Sequence, residues 1–433
     1  MSREQHMAWE RKLIILLVSL YCISIPLDGL FTIPLLGGKI QLPEAIFLLL
    51  VSTTFILFFF RFSTFKKWLT EIKLIWLDKI LLTYGILVFT SYLTSHHPNA
   101  LGETVAVSYF LVLYAIIRLI KLRLYDVKWA IPLTLWIATT SVFFSLIMFY
   151  VFDNDYFVYQ HEDYYLLGDQ IRPNGWSKSS LMLSEYLCIG ALLVIAFYDW
   201  QKQILLLILT AVALYFTKAK SVFVIGGVLM LFPMLAFQLP TFWKRLSQII
   251  GIAFILFYLI FSHAFFFTQK ENLHYSVGTC KSYELLNLYA VPTPYYHTKK
   301  AAINSFLEHP IKGIGGNTFI AQLPSFYERG LVDCKIYQSP HCTYTGALAE
   351  LGIFGFLLIL LGFYGLFRQC KILLKQRRID RRYYYALVAI LLFIALQAVT
   401  YDSMNIRHYW VMMAVFANFL IVQISSPTQN INS

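Results

Sequence analysis

The feature that most constrains this chain is a succession of apolar runs, each close to a membrane's thickness in length, separated by short polar segments. About 20 apolar residues in a helix cross a hydrocarbon core of roughly 30 Å. Runs of that kind fall near 13–33, 41–60, 74–94, 101–120, 129–152, 179–198, 202–217, 220–237, 246–267, 344–367, 383–400 and 408–424. In lipid every backbone N–H and C=O must find an internal partner, so each run has to be helical. Composition agrees: 58% of the 433 residues are hydrophobic, 17% aromatic and only 13% charged, against roughly 25% charged in a soluble domain. The sequence therefore predicts an all-α polytopic membrane protein with about 12 transmembrane helices. The runs around 202–237 are short and nearly touch. No repeat at a fixed period stands out, and the first run lacks a small-residue cleavage site, so no cleavable signal peptide is expected.

The formal charge is +12, from 35 Lys+Arg and 23 Asp+Glu. These charges are scattered through short loops between apolar runs, which suits orientation in a bilayer better than a nucleic-acid surface. RFSTFKKWLTEIK (61–73), RLIKLRLYDVK (118–128) and RQCKILLKQRRIDRR (368–382) all fall on one side of a twelve-span count. The positive-inside tendency makes that side cytoplasmic, together with both termini. The expected organisation is nine transmembrane helices over 1–267, a large periplasmic loop with short helices over 268–343, and three more helices with a short cytoplasmic tail over 344–433. The outer face then receives SHHPN (95–99), the acidic and aromatic segment 153–178, the turn TKAK (217–220), the long loop, and YDSMNIRH (401–408). Every polar stretch unusual for a simple linker lies there, so the chemistry is expected outside the cytoplasm.

Within that set, SPHCTYTGALAELGIFG (339–355) places His341 at or near the first turn of a membrane helix, at head-group level. Gly352 and Gly355 lie deeper, where small residues let a neighbouring helix approach. An imidazole there can accept and return a proton near neutral pH; an interfacial histidine that only packs is the alternative. Arg172, held extended by Pro173, can clamp a phosphate with two N–H bonds or simply anchor a helix end. Lys218 and Lys220 share a turn too short to solvate both, which favours water or an anion beside them, though lysines also snorkel. In 297–319, Ala301, Ala302, Ile303, Phe306 and Leu307 pattern a short amphipathic helix, ended by Pro310 and the glycines of GIGG, which reads as a turn. Cys280 and Cys334 could form a disulfide. A zinc site from Cys334, His341 and Cys342 lacks a fourth ligand. Asp402 and Arg407 are expected to form an ion pair, and Glu350 to sit on the opposite side of the helix from His341.

With these residues in view, the chain resembles the O-antigen ligase and O-antigen polymerase superfamily of bacterial inner-membrane glycosyltransferases. His341 with Gly352 and Gly355 is similar to that family's His-Asn, nine residues, Gly-x-x-Gly signature, with Cys342 in place of the asparagine. LEHPIKGIGGNTF (307–319) resembles its His-Pro-x-x-Gly-x-Gly segment. RPNG (172–175) resembles an Arg-x-x-Gly before a span, and TKAKS (217–221) occupies the place of a Ser-Arg turn, with Lys220 where an arginine is expected. An arginine common at the start of the loop helix aligns with Tyr295, leaving Lys299, Lys300 or His297 to supply a cation. The likeness covers roughly residues 165–420.

The resemblance implies transfer of a glycan from an undecaprenyl-pyrophosphate carrier to an acceptor hydroxyl at the periplasmic face, without nucleotide sugar, metal or other cofactor. His341 would take the acceptor proton, and Arg172, Lys220, Lys218 and one of Lys299 or Lys300 would hold the pyrophosphate. A ligase would use lipid A–core as acceptor and a polymerase another lipid-linked glycan; the ligase is the leading expectation. A transporter or flippase would show repeated halves and ionisable groups at mid-membrane. A protein oligosaccharyltransferase would carry a longer C-terminal part than SSPTQNINS.

Overall fold

The computed structural model describes residues 3–425, apart from the segments 36–37, 123–124, 162–169, 230–239, 254–264, 269–282, 286–287, 331–339 and 377–380 and isolated positions or pairs, most of them between 200 and 252. The described chain is mostly helical. The first helices are α1 (Arg3–Ser24), α2 (Leu42–Phe60), α3 (Phe62–Glu71), α4 (Trp76–Ser95), α5 (Pro98–Leu119), α6 (Ala130–Phe152), α7 (Ser180–Phe197) and α8 (Ile204–Thr217). After a gap come α9 (Pro294–Glu308), α10 (Phe319–Glu328), α11 (Thr343–Lys375), α12 (Arg381–Gln397) and α13 (Arg407–Ser425). Among the described residues α2, α4, α5, α6, α7 and α11 are long and apolar enough to cross a membrane, while α8 and the apolar part of α12 are shorter. The chain is a multi-pass membrane protein. The runs expected at 220–237 and 246–267 fall largely outside the described residues.

Helix ends follow local chemistry. Gln41 and Glu44 form a reciprocal capping box at the start of α2, with Pro43 in its first turn, where a missing N–H costs nothing. Ser179 accepts from the Met182 N–H at 3.2 Å to open α7, a bond of the kind that stabilises a helix by about 1 kcal/mol. The first apolar run ends earlier than expected. Pro26 lies in a single 3-10 turn, Ile25–Leu27, after which the chain forms a hairpin.

The purely helical expectation is also amended by short antiparallel ribbons. β1 (Thr32–Leu35) pairs with β2 (Gly38–Gln41), and β3 (Val158–His161) with β4 (Gln170–Pro173). β7 (Leu288–Pro292) lies between β5 (Phe265–Thr268) and β6 (Tyr283–Leu285).

The connections gather at one end of the bundle. Asp28 Oδ1 accepts from Ser177 Oγ at 3.1 Å and from the Lys178 N–H at 2.8 Å. The Gly316 N–H donates to Ser91 Oγ at 2.9 Å, and the Thr343 N–H to the Ala398 carbonyl at 2.8 Å. The opposite end has its own polar ties. Arg11 pairs with Asp126 at 2.7 Å. The Arg118 fork holds both oxygens of Asp78 at 2.8 Å and donates to Asn418 Oδ1 at 2.5 Å, joining α4, α5 and α13. Between the two ends, Trp410 is wholly buried and stacked on Phe110, with ring centroids 5.5 Å apart.

Candidate active site

The site is built on a broken helix. Within α11, Gly352 has φ 68° and ψ −163°, a backbone region that is essentially closed to any residue with a Cβ. The break leaves carbonyls and an N–H without helical partners, and the segment following α9 supplies them. The Ile314 N–H donates to the Ala349 carbonyl at 2.9 Å and the Gly315 N–H to the Glu350 carbonyl at 3.0 Å. In return the Ile353 N–H donates to the Pro310 carbonyl at 2.9 Å. The approach is close enough that a Cβ on Gly352 would lie 2.3 Å from the Ile311 carbonyl oxygen, and one on Gly313 2.3 Å from that of Glu350. The Glu350 side chain adds a further tie, its Oε1 accepting from the Phe319 N–H at 3.2 Å in the first turn of α10.

HPIKGIGG and GIFG, which look independent in the sequence, are thus two halves of one joint. The helix-packing role expected of Gly352 and Gly355 is corrected accordingly. Loop backbone, not a neighbouring helix, meets Gly352, and Gly355 abuts Leu351 of its own helix. GIGG turns as the sequence suggests.

His341 sits in the turn immediately before α11, near its first turn as the sequence suggests. Its φ is +44°, Cys342 is the N-cap and the helix starts at Thr343. The imidazole meets the edge of the Tyr295 ring, centroids 5.0 Å apart, and lies 6.2 Å from that of Tyr401. Tyr295 and Lys299 are one turn apart on α9, hence on one face. Lys299 Nζ donates to the Val399 carbonyl at 3.0 Å. Burial pulls the Lys299 ammonium below its ordinary pKa. Burial first, and the Lys299 charge second, hold the His341 imidazole below its own. At neutral pH the imidazole is therefore uncharged and able to accept a proton. Tyr295, the position aligned with the family arginine, touches His341 directly, and Lys299 brings the nearby cation. His297 is buried within the loop domain and Lys300 is half-buried.

The cavity beside His341 is lined by Glu103, Asn317, Glu350 and Asp402 among others. His341 and Glu350 face one space after all, because His341 precedes the helix and the helical-wheel argument does not reach it. Asp402 accepts from the Met404 N–H at 3.2 Å. Arg407, expected to pair with Asp402, reaches Asp28 at 3.3 Å, Gln41 Oε1 at 2.8 Å, and Glu44.

Arg172 and Lys218, two of the other predicted cations, lie on a second pair of contacting segments. Arg172 is extended in β4, opposite Tyr159, and its Nε donates to the Thr217 carbonyl at 3.4 Å, the last residue of α8. Lys218 follows at φ +49°, ending that helix. RPNG and TKAK are therefore in contact. Neither Arg172 nor Lys218 lines the His341 cavity. Lys220 lies outside the described residues, as do Cys280 and Cys334. Cys342 is buried with a free thiol. Among the described residues no group of three His, Cys, Asp or Glu is placed to hold a metal ion.

Sequence reasoning gives no role to Glu103 or to the buried pair of His408 and Glu185, 3.3 Å apart between α13 and α7, and it notes Tyr401 and His408 only as part of YDSMNIRH. Only long-range packing shows what each of them faces.

These features define a multi-pass membrane protein with a capped polar site at one end of its bundle. Residues 205–360 match the family model described as O-antigen ligase, which supports placing the chain in the O-antigen ligase and polymerase superfamily. The matched stretch includes TKAK, α9, the HPIKGIGG joint and His341, and excludes Arg172. No curated protein matches the chain.

Proposed function

We propose that the protein transfers a glycan from undecaprenyl pyrophosphate to an acceptor hydroxyl at the periplasmic face of the inner membrane, as an O-antigen ligase with lipid A–core as acceptor. The observation that carries this reading is His341, fixed in a left-handed turn and opening onto a polar cavity inside the family-matched region. The imidazole takes the acceptor O–H proton as that oxygen attacks the anomeric carbon. The bond from that carbon to the pyrophosphate oxygen breaks, and the pyrophosphate leaves on its lipid. Charge grows on the leaving group, and cations held near it lower the barrier.

The distribution of charge supports separate places for the two substrates. Glu103 and Asp402 repel a diphosphate, and together with the Glu350 carboxyl they offer oxygens that accept hydrogen bonds from hydroxyls, which suits the acceptor. Lys299, whose charge acts on the imidazole, and the contacting RPNG and TKAK segments suit the pyrophosphate. Lys218, Lys220 and Lys300 remain candidates for the same task. Polymerisation of lipid-linked repeat units is the second reading, favoured by the same family match.

Gel analysis of lipopolysaccharide from a deletion strain separates the two. Core without O-chains, with polymer accumulating on its lipid carrier, is the ligase result. Core bearing a single repeat marks a polymerase, and an unchanged ladder overturns both.

A further inference from the structure

A second cleft at the same end of the bundle shares no lining residue with the His341 cavity. It encloses about 520 Å³, within the size range of small-ligand sites. Its walls come from the segment after α1, the start of α2, residues 156–157 and 174–178, and Arg407 at the head of α13. One wall is aromatic. Tyr156 is 72% exposed and packs edge-on against Phe157, centroids 5.0 Å apart. Phe144 backs both Phe157 at 5.2 Å and Trp176 at 5.5 Å, so the shelf is supported from behind. The rest of the lining is largely polar, with Gln41, Asn174, Lys178 and Arg407.

Arg407 is held from outside the lining by Asp28 at 3.3 Å and by Glu44, and Asp28 Oδ1 also accepts from the Lys178 backbone N–H at 2.8 Å. The guanidinium is thus already engaged by carboxylates and is not a free clamp for a phosphate. An aromatic shelf beside amides and an engaged guanidinium instead matches a pyranose, whose C–H face lies on rings while its hydroxyls meet polar groups.

We infer that this cleft is a binding subsite for a neutral oligosaccharide, with Trp176 and Tyr156 as its stacking platform and Gln41, Asn174 and Lys178 as hydrogen-bonding partners. The inference rests on the glycan-transfer reading and adds a place where sugar residues remote from the reacting bond are held. Such remote contacts are one source of the binding energy that orients a reacting centre.

The test is saturation-transfer NMR on the full-length protein in lipid nanodiscs. The probe is the lipid-free neutral oligosaccharide released from the host's own surface glycan. Wild type should give saturation transfer, and Tyr156→Ala and Trp176→Leu should each weaken the apparent Kd by fivefold or more. Tyr125→Ala, exposed at the opposite end of the bundle, should bind as wild type does; oligosaccharide binding by a protein that transfers no glycan would count against the transfer reading and leave the subsite standing. Absence of transfer to wild type, unchanged binding in both aromatic variants, or displacement by inorganic pyrophosphate would each overturn the subsite. Circular dichroism and detergent melting of Tyr156→Ala, whose ring is largely exposed, guard against a folding defect.

Discussion

At the scale of single residues, the account concentrates chemistry on His341 and its setting. A positioned general base contributes roughly 10²–10⁴-fold to rate. His341→Ala should therefore lower glycan transfer by at least two orders of magnitude, with unchanged protein in the membrane fraction. The depressed imidazole pKa sets the sign of the pH dependence. The base works uncharged, so activity is retained until pH falls through that lowered value, further into acid than for an ordinary histidine. Removing the Lys299 charge takes away one of the two causes of the depression. Lys299→Met should accordingly move the acidic limb of the pH–rate profile upward, and an unmoved or lowered limb would show that the two groups do not interact. His341 itself was legible from its family motif. Its neighbours were half legible, since the four-residue spacing of Tyr295 and Lys299 puts them on one face, but nothing local says that this face meets His341. Glu103, far back in the chain, carries no signal of its own.

At the scale of elements, the joint between the loop and α11 decides whether the site exists. Sequence patterning located α9 and the turn after it, because apolar spacing, proline and glycine are local signals. It misread GIFG, because a small-residue spacing inside an apolar run looks the same whether a helix or a loop approaches it. The distinction lies in φ and in hydrogen bonds between residues some forty positions apart, such as the Ile353 N–H and the Pro310 carbonyl. Gly352→Ala must carry a Cβ into a glycine-only conformation, costing about 1–3 kcal/mol, and also against the Ile311 carbonyl. It should unseat the loop, seen as faster proteolysis between α9 and α11 and as loss of transfer. Gly362→Ala in the same helix, where an added Cβ meets nothing within 4 Å, is the matched control and should behave as wild type. At the other end of the bundle, the buried Arg118 and Asp78 pair ties α4 to α5. Deleting one partner of a buried pair costs about 3–5 kcal/mol, so Arg118→Leu should lower the melting temperature in detergent clearly more than Arg11→Leu, whose partner pair is more exposed.

At the scale of the whole molecule, the apolar runs made the bundle legible because length and hydropathy are properties of the chain alone. The short ribbons were hidden, since pairings such as β3 with β4 span segments with no repeated pattern. Orientation is argued from the basic segments, and it has a direct check. Tyr156 and Tyr125 are 72% and 76% exposed on connections at opposite ends of the bundle. A membrane-impermeant maleimide should label Tyr156→Cys in spheroplasts, and Tyr125→Cys only after lysis; the reverse pattern would put the site in the cytoplasm. The central claim is that His341 drives glycan transfer. The most direct measurement is the single-turnover rate of purified protein in nanodiscs, with saturating lipid-linked glycan donor and lipid A–core acceptor, wild type against His341→Ala. The account predicts a fall of a hundredfold or more with donor binding intact. Transfer by the variant at the wild-type rate would contradict it.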